Sequence, residues 1–542
     1  MALWTFDEPT RTWYGPRLTP IYNPDASLGQ VLNDALLRSR DNIAQIDMDT
    51  GGRLTCGEFR LRMVRAVQNL TSAGLNPGDV AVMANNNSEN VAPLACALIT
   101  LGAQLNPLAP GYSRQDMVHM MRLTRPKIIF CDDDNLELVQ AAAKEAIPGR
   151  DPPLYAVASR RDVAGVHHAE DLLVRTGREE QFRPWQVEDS RRTTAVILCS
   201  SGTTGPPKGV CMSHAHLIRS LGSIFVTQSE ISFNFSPLYW GSGMFSLLGA
   251  IAGSSTRLVT CRPFSPETLF EAVEQYRASF LFLAPSYASE VLQSERIERV
   301  NFSSVRILML AGSYVSDGLR DRFDRLLSNG RTFNAVGSTE AGGVATDAMV
   351  PRKRGAVGTP TANVELRIVD ESGRALGVGE RGEVLAKSFE PFVGYYNNPE
   401  ATRAVIDENG FTRSGDVAYI DAEGYVFVVD RAKDIFKYRG FHVSPTELEA
   451  IVDKLPGVAQ VCVVGVPADA DRTTELPAAV IVRSPGSVLS AQDVIDAVEV
   501  QVSDFKRLRG GVHFVDALPK TLNGKVLRRH VLELIQSQGQ KS

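Results

Sequence analysis

Cysteine is scarce in this chain and scattered. The seven cysteines, Cys56, Cys96, Cys131, Cys199, Cys211, Cys261 and Cys462, form no CxxC pair. An odd, dispersed set argues against a disulfide framework and lacks zinc-ligand spacing, so a reducing compartment is expected. Long apolar runs are missing too. The most apolar stretch, Val91 to Ala103, contains Pro93 and is too short to span a bilayer. The opening MALWTFDEPTRTWYG has early acidic residues and no apolar core, so no signal peptide is expected. Neither sign of charge dominates. A net charge of −5 gives no support for a nucleic-acid or anionic-membrane partner, though it is compatible with a local basic pocket for an anion. A repeat with a period of roughly 20–50 residues is also absent, which excludes a solenoid.

The chain does have length. At 542 residues and 44% hydrophobic content it exceeds one compact core, so a large body and at least one further domain are expected. The middle alternates short apolar runs with helix-like segments. Thr194 to Cys199, Arg306 to Ala311 and Thr332 to Val336 read as strands, with helical spacing from about His214 and over Ser316 to Leu327. Such alternation predicts parallel sheets flanked by helices, with ligand loops at the carboxyl ends of the strands. After about Gly355, Val364 to Val369 and Arg381 to Lys387 predict an antiparallel section. Beyond Asp430 to Asp434 a small separate lobe is expected. Its helices start at Ser444-Pro445-Thr446-Glu447, at Ser490 and near Val526, and its strands cover Val458 to Gly465 and Pro477 to Val482.

One loop carries most of the chemical information. Ser200-Ser201-Gly202-Thr203-Thr204-Gly205-Pro206-Pro207-Lys208-Gly209 is expected to follow a strand and precede a helix. Its hydroxyls, glycines and lysine suit phosphate oxygens. The spacing is not that of a Walker A loop. Other segments are ambiguous alone. Ser338-Thr339-Glu340 suits a phosphate and a magnesium ion, or equally a helix N-cap with a first-turn glutamate. Ser414-Gly415-Asp416 offers a carboxylate for a vicinal diol, or a mere turn. Arg431 and Lys525 would each pass for solvated surface charges.

Together these motifs resemble the adenylate-forming superfamily, in particular its coumarate–CoA ligase and luciferase-like branch. The likeness covers nearly the whole chain, from ANNNSENVAPLACALITLGAQLNPL to the tail, with SSGTTGPPKG as its phosphate-binding signature. It implies an α/β fold: a large N-terminal domain of parallel sheets flanked by helices, a small β-barrel-like section, and a small mobile α+β C-terminal domain. The expected division is 1–430 and 431–542. It also implies an AMP-forming acid–CoA ligase that uses ATP, Mg²⁺ and coenzyme A.

Roles follow from the matching positions. Ser200, Ser201, Gly202, Thr203, Thr204 and Lys208 are expected at the phosphates, and Ser313, Asn334 and Ala335 at the nucleotide. Thr339 would meet the α-phosphate and Glu340 the metal, with Asp416 and Arg431 at the ribose. Lys433 falls at the hinge. Lys437, Arg439, Gly440 and His442 belong to the pantetheine-tunnel loop, and Arg262 to a coenzyme A phosphate site, although it equally suits a surface charge. Lys525 would bridge the substrate carboxylate and the α-phosphate; Lys208, Lys525 and His442 form the expected catalytic set.

Four positions depart from the family pattern. Val336 replaces the tyrosine that stacks on adenine, with Tyr314 as a candidate substitute face. Trp240 replaces a histidine near the acyl site, as gate or as core filling. Ser313 and His442 replace the usual alanine and glutamine. Two other readings therefore stay open: a luciferase-like oxygenase, and a nucleotide-binding protein with weak or no ligase activity. The acid is fatty, aryl-propenoic or otherwise aromatic. The cytosol and a monomer are expected; a peroxisomal address is not, since the sequence ends Gln540-Lys541-Ser542.

Overall fold

The computed structural model describes residues 4–159, 161–200, 206–221, 226–390, 392–431, 434–438, 441–468, 474–521 and 524–539, without the side chains of 437, 442, 538 and 539. Two large sheets form the body. In the nine-stranded sheet the central strands are Arg331–Ser338, Ile307–Ala311, Phe280–Leu283, Ile231–Asn234, Thr256–Val259 and Ile43–Asp47, all parallel. In the eight-stranded sheet a parallel run extends from Thr194–Ser200 through Gln104–Pro107, Val80–Ala84, Ile128–Cys131 and Leu154–Ala156 to Val166–His168. Every residue of Val80–Ala84 is buried, as a strand covered on both faces requires.

The most apolar stretch of the sequence becomes the helix Val91–Leu101. All eleven of its residues are buried, so it is apolar all round because it lies inside the core. Pro93 is tolerated in its first turn, where a backbone N–H has no intrahelical acceptor to lose. No described helix is long and apolar enough to cross a membrane.

The antiparallel section is a six-stranded sheet running Thr5–Asp7, Thr12–Tyr14, Val364–Val369, Gly382–Ser388, Thr412–Ile420, Val426–Arg431. Its ladder is open, but Trp4 lies against Gly424, in the turn before the opposite edge strand. The sheet thus curls towards the barrel-like form.

The last part of the chain has its own core, built on Val443, Leu448, Val463, Ile481 and Val494. Val458–Pro467 pairs antiparallel with Glu475–Arg483, which pairs parallel with Val512–Phe514. The helices Pro445–Val452, Ala491–Glu499 and Arg528–Gly539 cover these strands. Ser444 accepts from the Glu447 N–H and Ser490 forms a reciprocal cap with Asp493, which fixes where two of them begin.

Three local expectations change. The phosphate-loop candidate joins two antiparallel strands, Thr194–Ser200 and Lys208–Ser213, with Ser200 paired to Lys208; the helix His214–Ser220 comes only afterwards. Ser414-Gly415-Asp416 lies within the strand Thr412–Ile420 rather than before one. Ser338-Thr339-Glu340 is not a helix start. It forms the tip of a hairpin between Arg331–Ser338 and Gly342–Thr346.

Candidate active site

A cavity of about 1080 Å³ lies against the carboxyl ends of the parallel strands, where the six-stranded sheet and the last part of the chain close over it. Ser200, Pro206, Pro207 and Lys208 reach its wall from the antiparallel pair. The hairpin tip brings Ser338, Thr339 and Glu340, and the nine-stranded sheet brings Gly312, Ser313, Ala335 and Val336. Arg413, Ser414, Gly415 and Arg431 come from the six-stranded sheet, and Lys525 from the C-terminal part.

The hairpin tip depends on glycine. A Cβ at Gly337 would lie 2.3 Å from the Gly342 carbonyl oxygen, and Gly342 has φ of 71°. The tight turn aims Glu340 at Tyr395, whose hydroxyl donates to Oε1 at 2.8 Å. The Lys208 ammonium stands 4.9 Å from the centre of the same ring. Burial, and then the adjacent Glu340 carboxylate, push the Tyr395 phenol well above its ordinary value, so it stays a donor throughout the physiological range. The sequence reading missed Tyr395. Its one signal was the run Gly394-Tyr395-Tyr396-Asn397-Asn398-Pro399, a strand end followed by a proline-started helix.

Asp416 and Arg431 are cross-strand partners, joined by an Nε–Oδ1 contact of 2.6 Å. Arg431 faces the cavity, while Asp416 is buried off its wall. Lys525 is tied back to Thr521. The Thr521 N–H donates to the Lys525 carbonyl at 2.8 Å, and the Lys525 N–H to the Thr521 hydroxyl at 3.0 Å. This loop is docked on the helix Pro285–Val291: the Ser286 hydroxyl donates to the Gly524 carbonyl, and Lys520 lies 3.9 Å from Glu290.

Other expected residues are placed elsewhere. Asn334 is buried outside the cavity wall, where its N–H donates to Asp347 at 2.8 Å. Arg262 is engaged by Asp49 at 2.8 Å and Glu271 at 2.7 Å and is not on the cavity wall. Tyr314 is 42% exposed and off the wall, so it provides no face opposite Val336. Trp240 is on the wall, at the start of the helix Gly241–Gly253, and among the described residues its buried indole N–H has no acceptor. Lys437 and His442 are paired across the hairpin of Phe436–Tyr438 and Phe441–Val443, and their side chains are not described. Ser201, Gly202, Thr203, Thr204, Lys433, Arg439 and Gly440 lie outside the described residues.

The family model for AMP-binding enzymes matches residues 32–396, and that for the AMP-binding enzyme C-terminal domain matches 447–525. The chain is an AMP-binding enzyme. Within this family it belongs to the coumarate–CoA ligase and luciferase-like branch of the adenylate-forming superfamily. A 4-coumarate–CoA ligase-like protein of Arabidopsis thaliana is 30% identical over 504 residues, covering 90% of this chain and 86% of that one. Luciferin 4-monooxygenase of Photinus pyralis is 29% identical over 532 residues, covering 94% and 95%. The crystal structure of ATP-bound MatB from Rhodopseudomonas palustris superposes with a TM-score of 0.83 at 25% identity, over 95% of this chain and 99% of that one.

The lysines, the hairpin tip and Arg431 stand on one wall at the carboxyl ends of the strands, the side on which open α/β sheets bind their ligands. A Mg²⁺ ion fits this donor set in one way. No group of three or more His, Cys, Asp or Glu converges among the described residues. Glu340, next to the Thr339 hydroxyl, would hold the ion only with phosphate oxygens completing its shell, which is how Mg²⁺ usually binds.

Proposed function

We propose that this enzyme is an acid–CoA ligase. A carboxylate attacks the ATP α-phosphorus and pyrophosphate leaves, giving an acyl-adenylate. The thiol of coenzyme A then attacks the acyl carbon, giving a thioester and AMP. The observation that carries this reading is the presence of Lys525 and Lys208 on the wall of one cavity that also presents Thr339, Glu340 and Arg431.

The first step needs no protein nucleophile. It needs two anions held in line while negative charge spreads over the phosphoryl oxygens. Lys525 supplies a fixed ammonium between the carboxylate and the α-phosphate, and Lys208 with the hydroxyl-rich loop holds the leaving pyrophosphate. A Mg²⁺ ion held by Glu340 would neutralise phosphate charge. Arg431, aligned by Asp416, faces the ribose. For the second step we assign a rotation of the part spanning 431–542 about Lys433, which withdraws Lys525 and brings the hairpin of Lys437, Arg439, Gly440 and His442 to the thiol path.

ATP–pyrophosphate exchange over a broad acid panel tests the reading. Exchange that depends on one class of acid, followed by thioester formation with coenzyme A, is expected. ATP binding without exchange for any acid overturns the ligase and favours a nucleotide-binding role, to which Val336 on the cavity wall lends support. The similarity to a luciferin 4-monooxygenase supports a second reading, an oxygenase that begins from the same adenylate. Light from luciferin, ATP and oxygen without thioester would select it.

A further inference from the structure

The phosphate-loop candidate returns to its sheet through Pro206 and Pro207, and this arm is short of donors. Neither proline has a backbone N–H, so over these two residues the main chain can only accept hydrogen bonds. Pro207 is buried, and a buried carbonyl needs a donor from elsewhere. Among the described residues that donor is His119, whose Nε2 lies 3.1 Å from the Pro207 carbonyl oxygen. A carbonyl oxygen only accepts. Nε2 therefore carries a hydrogen, in the neutral Nε2–H tautomer or in the imidazolium.

The helix Arg114–Thr124 delivers His119 to this point. Ser113 fixes its start by accepting from the Asp116 N–H at 3.1 Å. Met117, Met120 and Met121 bury its inner face in a core shared with Val82, Ile129 and Cys199 of the eight-stranded sheet. Arg114 and Arg122 turn away to Glu145, at 3.0 Å and 3.4 Å. His119 and Leu123, one turn apart, are the residues this helix brings to the cavity wall.

Lys208 follows Pro207 directly, and the chain beyond it is held independently. Lys208 pairs with Ser200 across the antiparallel strands. The Tyr396 N–H donates to the Gly209 carbonyl at 2.7 Å. The packing at Gly209 is so close that an added Cβ would lie 2.8 Å from Ile197 Cγ2 and 3.3 Å from Tyr396 Cβ. These contacts fix the backbone after Lys208, and His119 fixes the residue before it. The Lys208 side chain thus leaves a backbone pinned on both sides, with its ammonium 4.9 Å from the centre of the Tyr395 ring. Without the His119 N–H, the Pro207 carbonyl would be buried and unpaired. The arm would turn to find water and carry the base of Lys208 with it.

Building on the ligase reading, which puts Lys208 at the leaving pyrophosphate, we infer that His119 is a positioning residue for the β- and γ-phosphates of ATP. It acts on Lys208 through the Pro207 carbonyl and takes no part in the chemistry. Its effect is confined to ligands that carry those phosphates, ATP and pyrophosphate. AMP, the acyl-adenylate and the acid lack them.

Calorimetric binding of ATP, pyrophosphate and AMP to the full-length wild-type, H119L and H119Q proteins tests this. Leucine fills the space without a donor, whereas glutamine restores an N–H of similar reach. H119L is expected to weaken ATP and pyrophosphate by about fivefold, the usual worth of one neutral hydrogen bond, and to leave AMP within about twofold. H119Q should recover most of the loss. In a K208A background H119L should add little, because both changes act on one contact. The KM values for the acid and for supplied acyl-AMP should hold. Thermal midpoints identify a misfolded H119L, in which case H119N, whose amide is too short to reach Pro207, serves as the donor-loss variant. Unchanged ATP binding, equal weakening of ATP and AMP, or no recovery in H119Q overturns the inference. If the ATP-specific loss appears but no acid supports exchange in the wild type, the ligase reading falls and the positioning role stands.

Discussion

Lys208 and Lys525 reach one cavity from distant parts of the sequence, and the proposed chemistry needs both. Lys525→Ala should lower acid-dependent ATP–pyrophosphate exchange by about 10²-fold or more, the usual cost of losing a preorganised electrostatic stabiliser. Thiolation of supplied acyl-AMP should stay largely intact; equal loss of both half-reactions removes the assigned role. Tyr395 acts at one remove, through Glu340. Tyr395→Phe deletes the hydroxyl that donates at 2.8 Å, a neutral-to-charged hydrogen bond of about 1.5–3 kcal/mol. The Mg²⁺ concentration for half-maximal exchange should change several-fold while the carboxylic acid KM holds; an unchanged Mg²⁺ response would remove Tyr395 from the site. Lys525 was legible because it sits in a distinctive motif. Tyr395 was not, because Tyr395 and Tyr396 are indistinguishable until tertiary packing buries one against Glu340.

At the scale of elements, the hairpin tip and the docked helix decide how groups are aimed. Gly337→Ala sets a methyl group against the Gly342 carbonyl, 2.3 Å away, so the turn must open. A destabilisation of about 1–3 kcal/mol and a raised KM for ATP are expected, measured by thermal unfolding and initial rates. Ser286→Ala removes the hydroxyl that holds the Gly524 carbonyl. Loss of about 1 kcal/mol of docking should slow adenylation several-fold and spare thiolation of supplied acyl-AMP. Most elements in the middle of the chain followed from periodicity. The error lay around the phosphate-loop candidate, because Lys208 to Ser213 pairs antiparallel both with Thr194–Ser200 and with the edge strand Gly394–Tyr395, at one end of an otherwise parallel sheet. A short apolar run does not reveal which partner it will take.

At the scale of the whole molecule, polar groups join the last part of the chain to the body among the described residues. Beyond the Lys525 loop, the Ser316 hydroxyl donates to Asp453 at 2.7 Å, and Gln293 donates to the Ala459 carbonyl at 3.2 Å. A polar seam of this kind suits a joint that opens. A disulfide between Ser316→Cys and Asp453→Cys should trap the arrangement with Lys525 on the cavity. Pyrophosphate release should continue through adenylate formation while thioester formation stops until reductant is added; undiminished thioester formation in the cross-linked enzyme would refute the rotation. The sequence by itself determined the family and the class of fold, and it nominated the residues for phosphate, because those are written in local spacing and side-chain chemistry. Only the tertiary structure decided that Asn334, Arg262 and Tyr314 lie off the cavity wall, that Tyr395 joins Glu340, and that His119 reaches the Pro207 carbonyl. Each of these depends on which distant surfaces meet, and local pattern does not encode that.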